Sequence, residues 1–223
     1  MTLKLLIQAM IKFSCGIILI GILLFLPAGT FSFMNGWLLM GILFIPMLLA
    51  GIVMLIKNPT LLKSRLDAKE TQREQSTVVK LSGLMFLAGF IVAGLDFRFK
   101  WFLLPKGIVI GGVVVFLAAY ILYAEVLREN TYLSRTIKVQ ENQKVIDTGL
   151  YRIVRHPMYS ATLLLFLAMP LVLGSLFSFL IFLAYPLIIA KRIRSEEAFL
   201  EKELNGYLAY KQKVKYHLIP FIW

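Results

Sequence analysis

The sequence predicts an all-α, polytopic integral membrane helical protein, and three observations lead to this fold class. Hydrophobic residues make up 59% of the chain and charged residues only 16%, with a mean hydropathy of +0.80. Apolar runs of about 20 residues, the length that a helix needs to cross a bilayer, recur along the chain. Basic residues are concentrated in the polar connections between these runs, as is typical of membrane proteins.

Each of the first four apolar runs predicts one transmembrane helix, and the last predicts a helical hairpin. The first four runs cover about 11–26, 36–56, 78–95 and 108–127. The last run, 158–190, is too long for a single crossing, and the pair Gly174-Ser175 predicts a turn within it. We therefore expect about five spans. After the hairpin, apolar residues at helical spacing predict a cytoplasmic C-terminal helix with a break near Asn205-Gly206.

The formal net charge of +12 is compatible with a nucleic acid or a membrane surface as partner. The basic residues lie mainly in connections 57–80 and 128–155 and after residue 190, whereas connection 27–35 carries no charge. This placement favours membrane lipids and argues against nucleic acid. By the positive-inside rule, both termini and both long polar loops face the cytoplasm. No small-residue cleavage site follows the first run, so we expect a retained anchor rather than a cleaved signal.

Two polar connections carry local patterns of their own. The segment 57–77 suits a short amphipathic helix on the membrane surface, and a solvated loop fits it equally well. The connection 129–148 contains a short alternating segment, 136–140, and leads into a turn at Gly149. A loop of this kind, between two membrane helices, can fold over a ligand.

The cysteine and histidine content argues against a metal site. Cys15 is the only cysteine, which excludes an internal disulfide and a thiolate metal cluster. The two histidines, His156 and His217, have no second ligand near them in the sequence. We therefore expect no bound metal.

Two polar clusters flank the predicted hairpin, where the edge of the hydrocarbon region makes polar groups costly and hence candidates for function. In the first cluster, Pro157 suits the first turn of a helix. His156 then lies at the helix cap, beside backbone N–H groups that favour an anion, and Tyr159 lies further in. Anchoring of the helix at the membrane interface is the alternative explanation for this cluster.

The second cluster contains Arg192, Glu196 and Glu197. Arg192 and Glu196 are four residues apart, so on a helix they share one face and can pair. Glu197 lies about 100° further round the helix, where a solvent-exposed face would explain it without a function. Together, the two clusters offer partners for a carboxylate, an ammonium, ribose hydroxyls and a cation. S-adenosylmethionine carries all of these groups, although a nucleotide could use similar contacts.

Three blocks of residues resemble the isoprenylcysteine carboxyl methyltransferases and their bacterial relatives over about 130–220. They are Gly149-x-Tyr151-x-x-x-Arg155-His156-Pro157-x-Tyr159, Arg192-x-x-x-Glu196-Glu197 and Tyr207-x-x-Tyr210. Phospholipid N-methyltransferases share the later part of the pattern more loosely. The resemblance implies an integral membrane methyltransferase that uses S-adenosylmethionine, in the bacterial inner (plasma) membrane with its active site facing the cytoplasm. It implies a single membrane domain, 1–223, with N-terminal transmembrane helices in 1–127 and a cofactor-binding catalytic half in 128–223.

Carried over by position, the resemblance assigns most of the matching residues to the cofactor and one to the acceptor. Cofactor binding is implied for Gln140, Gln143, Lys144, Val145, Ile146, Tyr151, His156, Pro157, Met158, Tyr159, Glu196 and Glu197. Arg192 is the implied catalytic residue, which orients and neutralises a substrate carboxylate. The chain departs from its relatives at Ser160-Ala161, where a glycine is frequent, and in the short loop before Gly149. The first departure concerns helix packing, and the second weakens the assignment of Gln143 and Lys144.

The sequence leaves open the identity of the methyl acceptor and two other classes of protein. The expected acceptor is a lipophilic small molecule or lipidated substrate with a carboxylate, because methylation of a carboxylate needs little acid–base catalysis. A phospholipid amine is the alternative, and it requires a base to take its proton. A nicotinamide-dependent membrane reductase could share the architecture. A transporter or scaffold fits less well, because the spans lack the polar residues that transport usually requires.

Overall fold

The computed structural model describes residues 2–66, 73–134, 136 and 139–223, and this part of the chain is helical without a strand. In chain order the helices are α1 (Thr2–Ala28), α2 (Met34–Lys57), α3 (Pro59–Leu66), α4 (Arg73–Phe99), α5 (Lys106–Glu129), α6 (Pro157–Leu173), α7 (Leu176–Phe182), α8 (Tyr185–Glu203) and α9 (Tyr207–Lys213). A 3₁₀ turn, Gly149–Arg152, lies between α5 and α6. The predicted all-α fold is confirmed.

Within the described residues, five stretches of helix are long and apolar enough to cross a membrane. They are Leu3–Ala28, Met34–Lys57, Gln75–Phe99, Lys106–Glu129 and Leu176–Glu203. The first four contain the predicted runs, and the fifth combines α7 and α8, which are separated at Leu183 and Ala184. The helix α6 is shorter and forms the other arm of the predicted hairpin. Gly174 ends α6 in a left-handed conformation with φ of 74°, which confirms the turn.

The connection between α2 and α4 contains the short helix α3. Of the two predictions for this segment, a short helix and a solvated loop, the helix is therefore confirmed over these residues. Leu61 and Leu62 are buried on this helix. Arg65 Nη1 donates to the carbonyl of Ser134 at 3.3 Å, so α3 contacts the loop that follows α5. Residues 67–72 lie outside the described part of the chain. So do Ile137 and Lys138, in the alternating segment 136–140.

One hydrophobic core joins the long helices, because each contributes apolar side chains to the same cluster. The helices α5 and α6 approach each other closely, since a Cβ atom at Gly112 would lie 2.8 Å from Cβ of Leu171. Ala161, near the position where the related family often has a glycine, is fully buried in the core. The alanine is therefore small enough for close packing at this point.

At the end of the bundle where α4 ends, the fully buried Asp96 holds two loops together. Its carboxylate accepts from the backbone N–H of Phe102 at 2.8 Å and from Oγ of Ser175 at 2.5 Å. Ser175 Oγ also accepts from the N–H of Ser178 at 3.1 Å and so caps α7. These bonds fix the hairpin turn against α4, and the two arms of the hairpin then meet again at the opposite end of the bundle.

Candidate functional site

A cleft opens at the end of the bundle where α5 ends and α6 begins, between α6, α8, α9 and the loop after α5. Its volume is about 840 Å³ including the open mouth. It is lined by Asn130, Tyr132, Leu133, Ser134, Thr136, Gln143, Lys144, Val145, Ile146, Tyr151, Arg155, His156, Met158, Tyr159, Arg192, Glu196, Leu200, Leu204, Tyr207 and Tyr210.

Most of the residues predicted for the site are brought together in this cleft. Gln143, Lys144, Val145, Ile146, Tyr151, His156, Met158, Tyr159, Arg192 and Glu196 all line it. The predicted residues Gln140, Pro157 and Glu197 do not. The contacts of the lining residues are consistent with a ligand site, and their assignment to a cofactor stays a prediction.

One face of α8 supplies the wall of the cleft and changes character along its length. Arg192, Glu196 and Leu200 follow each other at intervals of four residues on α8, Leu204 follows at the same interval directly after the helix, and all four line the cleft. At a rise of 1.5 Å per residue, the twelve positions from the first to the last span about 18 Å. The cleft therefore has a charged end near Arg192 and an apolar end near Leu204.

Tyr159 is the centre of the charged end. Its hydroxyl accepts from Nε of Arg192 at 2.8 Å and donates to a carboxylate oxygen of Glu196. Its ring stacks on the imidazole of His156 with 5.6 Å between the ring centroids. Tyr159 is almost fully buried, so its position is fixed by the core. The predicted shared face of Arg192 and Glu196 is confirmed, and Tyr159 bridges the two side chains.

Glu197 lies behind the wall of the cleft, in a buried ionic network. Its carboxylate accepts from Nε of Arg155 at 2.7 Å and lies 3.0 Å from Nε2 of His156 and 3.5 Å from Nε2 of His217. Arg155 Nη1 also donates to the carbonyl of Val214 at 2.7 Å. Burial lowers the pKa of His217. This network joins α6, α8 and the segment 214–223.

The interpretation of Glu197 as a solvent-exposed carboxylate is wrong. Residues 214–223 fold back across the start of α6, with the N–H of Arg155 donating to Tyr216 and that of His156 to His217. The helix face that carries Glu197 is therefore covered by a segment that is remote in sequence. Glu197 is only 5% exposed and is placed to hold Arg155 and His156 rather than to line the cleft.

Gln140 and Pro157 shape the cleft without lining it. Gln140 Nε2 donates to the carbonyl of Tyr132 at 2.6 Å, and its backbone N–H donates to Oε1 of Gln143 at 2.9 Å. These bonds fold the loop after α5 and turn Gln140 toward a second cleft on its outer side. Pro157 occupies the first turn of α6 with His156 as the N-cap, as predicted, and is buried.

Three tyrosines form the opposite wall, and two of them had no predicted role. Tyr210 donates its hydroxyl to the carbonyl of Tyr151 at 2.7 Å, and the Tyr151 hydroxyl accepts from Nδ2 of Asn130 at 2.9 Å. The hydroxyl of Tyr207 meets no hydrogen-bond partner among the residues that the structure describes. The spacing Tyr207-x-x-Tyr210 was part of the family resemblance in the sequence. Spacing alone does not show which of the two hydroxyls has a hydrogen-bond partner.

Residues 107–205 match the model of the phospholipid methyltransferase family. This segment is similar to phospholipid methyltransferases. The match and the apolar helices together support a membrane-embedded methyltransferase. No curated protein matches the chain.

The segment similar to phospholipid methyltransferases covers only part of the cleft. It runs from the start of α5 to the residues just after α8, so it includes the 3₁₀ turn and the charged face of α8. The match does not reach Tyr207, Tyr210 or the segment 214–223. The helices α1 to α4 also lie outside it. The match does not distinguish the isoprenylcysteine carboxyl methyltransferases from other membrane methyltransferases.

The 3₁₀ turn before α6 depends on Gly149, and we expect Gly149→Ala to destabilise the protein by about 2–3 kcal/mol. Gly149 has φ of 50°, which costs an alanine roughly 1–2 kcal/mol. Its Cβ would also lie 1.5 Å from Oε1 of Glu129. The Glu129 carboxylate would have to give up its bond to the N–H of Leu150, 2.9 Å away, at a cost of about 1 kcal/mol.

Thermal unfolding of the detergent-purified variant measures this effect. Gly111→Ala is the matched control, because a Cβ at this α5 position would meet nothing within 4 Å. We expect the control to keep the wild-type Tm or to raise it slightly, since alanine restricts the unfolded chain. Equal Tm values for both variants would show that the turn does not depend on the glycine.

Proposed function

We propose that the protein transfers the methyl group of S-adenosylmethionine to a lipophilic acceptor that enters from the bilayer. The observation that carries the proposal is the gradient along α8, from Arg192 and Glu196 at one end of the cleft to Leu204 at the other. The similarity of residues 107–205 to phospholipid methyltransferases supports it independently. The basic connections 57–80 and 128–155 support a site that faces the cytoplasm.

The donors and acceptors of the cleft fit S-adenosylmethionine from end to end. The ligand has a charged amino acid and a sulfonium at one end and an aromatic base at the other. Glu196 offers a carboxylate for the ammonium of the donor. Leu200 and Leu204 offer an apolar surface for the base. We propose that the catalytic half lies within 128–223 and that 1–127 forms the N-terminal membrane helices.

When bound, S-adenosylmethionine supplies an activated methyl group on a sulfonium. Transfer is an in-line displacement, in which the acceptor forms a bond to the methyl carbon while the carbon–sulfur bond breaks. The contribution of this chain is orientation and electrostatic stabilisation. Tyr159 fixes the guanidinium of Arg192 through Nε, at 2.8 Å, and so sets the direction in which that cation meets an anionic acceptor.

Arg192 favours an acceptor that carries a carboxylate, because guanidinium pairs well with planar anions. A carboxylate oxygen attacks without losing a proton, so the site needs no additional base. The second candidate is a phospholipid amine, which the family match favours. In that case Arg192 would meet the lipid phosphate, and Glu196 would take the proton of the amine instead of holding the ammonium of the donor.

Isothermal titration calorimetry of the detergent-purified protein with S-adenosylmethionine tests the proposal. We expect saturable binding that weakens at least tenfold in Glu196→Gln, because a charge-assisted hydrogen bond contributes about 1.5–3 kcal/mol. Glu203→Gln is the control, since Glu203 is exposed on the same helix and does not line the cleft. Absence of heat with the wild-type protein would overturn the proposal.

Labelled substrates separate the acceptors. Membranes that contain the protein are incubated with methyl-labelled S-adenosylmethionine, and the lipid extract is treated with mild base. Release of the label as methanol identifies a methyl ester on a carboxylate acceptor. Label that stays on a phospholipid headgroup identifies an amine acceptor. Transfer of tritium from labelled NADPH, with none from S-adenosylmethionine, would instead show a reductase.

A further inference from the structure

We propose that the hydroxyl of Tyr207 binds the adenosine part of the methyl donor and thereby selects an adenine nucleoside at the apolar end of the cleft. This inference rests on the proposed function, and it adds a binding residue beyond the segment 107–205 that matches the methyltransferase family. It also assigns the two ends of the cleft to the two ends of the ligand.

The proposal starts from an unsatisfied hydroxyl that lines the cleft. Tyr207 is 4% exposed, and its hydroxyl has no hydrogen-bond partner within the described residues. Leaving such a group unpaired in a buried site is unfavourable, because the hydroxyl loses its hydrogen bonds to water and gains none. The side chain lines the cleft, so a bound ligand is placed to supply the missing partner.

The position of Tyr207 identifies the part of the ligand that it meets. Tyr207 packs in a cluster with Leu204, Tyr210 and the partly buried Val145 and Leu200, at the apolar end of the cleft. Along α8, Arg192 and Glu196 precede Leu204, which packs in this cluster, by two to three helical turns. An apolar and aromatic surface suits a purine ring, whose edge and ribose still need a polar partner. Among the side chains of this cluster, the Tyr207 hydroxyl is the polar atom left unpaired.

The hydroxyl acts as a neutral donor or acceptor. Burial raises the pKa of Tyr207, and the negative charges of Glu197 and Glu196 raise it further, so the phenol keeps its proton at neutral pH. A neutral phenol can donate to a ring nitrogen of adenine or accept from a ribose hydroxyl. Either bond would be lost in phenylalanine, which keeps the ring and its packing.

Tyr207→Phe tests the proposal, with Tyr210→Phe as the matched control. Calorimetry is run with S-adenosylhomocysteine and with 5′-methylthioadenosine, which keeps the adenosine and lacks the amino acid. We expect Tyr207→Phe to weaken both ligands by a similar factor, about three- to tenfold. We expect the Tm without ligand to be unchanged or raised, because the mutation removes an unpaired hydroxyl. Tyr210→Phe loses its 2.7 Å bond to Tyr151 and is expected to lower the Tm.

Each outcome has one meaning. Wild-type affinity of Tyr207→Phe for both ligands would overturn this inference and leave the proposed function intact. Weakening of S-adenosylhomocysteine alone would also overturn it, because the hydroxyl would then meet the amino-acid end. Binding of neither ligand by the wild-type protein would overturn the proposed function itself. Equal losses for both ligands, with Glu196→Gln weakening only S-adenosylhomocysteine, would establish both the contact and the orientation of the donor.

Discussion

Arg192→Ala is expected to lower kcat/KM for methyl transfer by about 10²- to 10³-fold while leaving the affinity for S-adenosylhomocysteine within about threefold. Removal of one preorganised donor that meets charge in the transition state typically has an effect of this size. The guanidinium lies at the charged end of the cleft, with Nε 2.8 Å from the hydroxyl of Tyr159. Under the proposed function it meets the acceptor rather than the nucleoside.

Two further variants show how Arg192 acts. Arg192→Lys keeps the charge and loses the planar fork, so we expect only partial recovery of kcat/KM. Arg194→Ala removes an exposed arginine from the same helix and should retain wild-type turnover. A methyl-transfer assay with the identified acceptor gives these values. Full activity of Arg192→Ala, or a loss that appears only as weaker donor binding, contradicts an acceptor role.

The membrane helices could be predicted because bilayer thickness imposes a length on every apolar run. The turn of the hairpin was also predictable, since Gly174 supplies the left-handed residue that ends α6. The interruption between α7 and α8 was not predicted, although the sequence carries a signal for it. It lies at Leu183-Ala184, inside a continuous apolar run, and Pro186 occupies the first turn of α8.

The charged end of the site was predictable from local spacing, and the apolar end was not. Arg192 and Glu196 lie four residues apart, so helix geometry places them together without knowledge of the rest of the fold. The apolar end is formed where α8 meets α9 and the loop after α5, which are distant in sequence. Tyr207 is identified only by the absence of a partner for its hydroxyl among the described residues, which requires coordinates.

Glu197 shows the limit of local reasoning most clearly, because its burial is produced by a remote segment. A helix face that projects beyond the membrane is expected to meet water. Here the segment 214–223 covers that face, and Arg155 connects the two by donating both to Glu197 and to the carbonyl of Val214. The carboxylate therefore has a role in holding the site together, and this role can be tested apart from ligand binding.

Glu197→Gln is expected to destabilise the protein by about 3–5 kcal/mol, because it leaves the guanidinium of Arg155 buried without a counter-charge. Arg155 and Glu197 are each 5% exposed, so solvent cannot replace the lost partner. For a chain of this length, 1 kcal/mol corresponds to about 2–4 °C, so the Tm should fall by about 10 °C. Glu201→Gln is the control, since Glu201 pairs with the more exposed Lys211 and should change stability by less than about 1 kcal/mol.

A double-mutant cycle distinguishes this positioning role from direct contact with the donor. Arg155→Met alone should also lower the Tm, because the buried Glu197 carboxylate then keeps only the half-exposed Lys211, 3.4 Å away, as a permanent counter-charge. The two changes together should cost clearly less than their sum, since both members of the buried ion pair are then removed. A residue that bound the ligand directly would behave differently, with a wild-type Tm, weakened donor affinity and no coupling to Arg155. If Glu197→Gln kept the wild-type Tm and lost donor affinity, the carboxylate of Glu197 would contact the donor in the cleft. A lowered Tm with residual donor affinity would instead fit the buried network that holds α6 and α8 together.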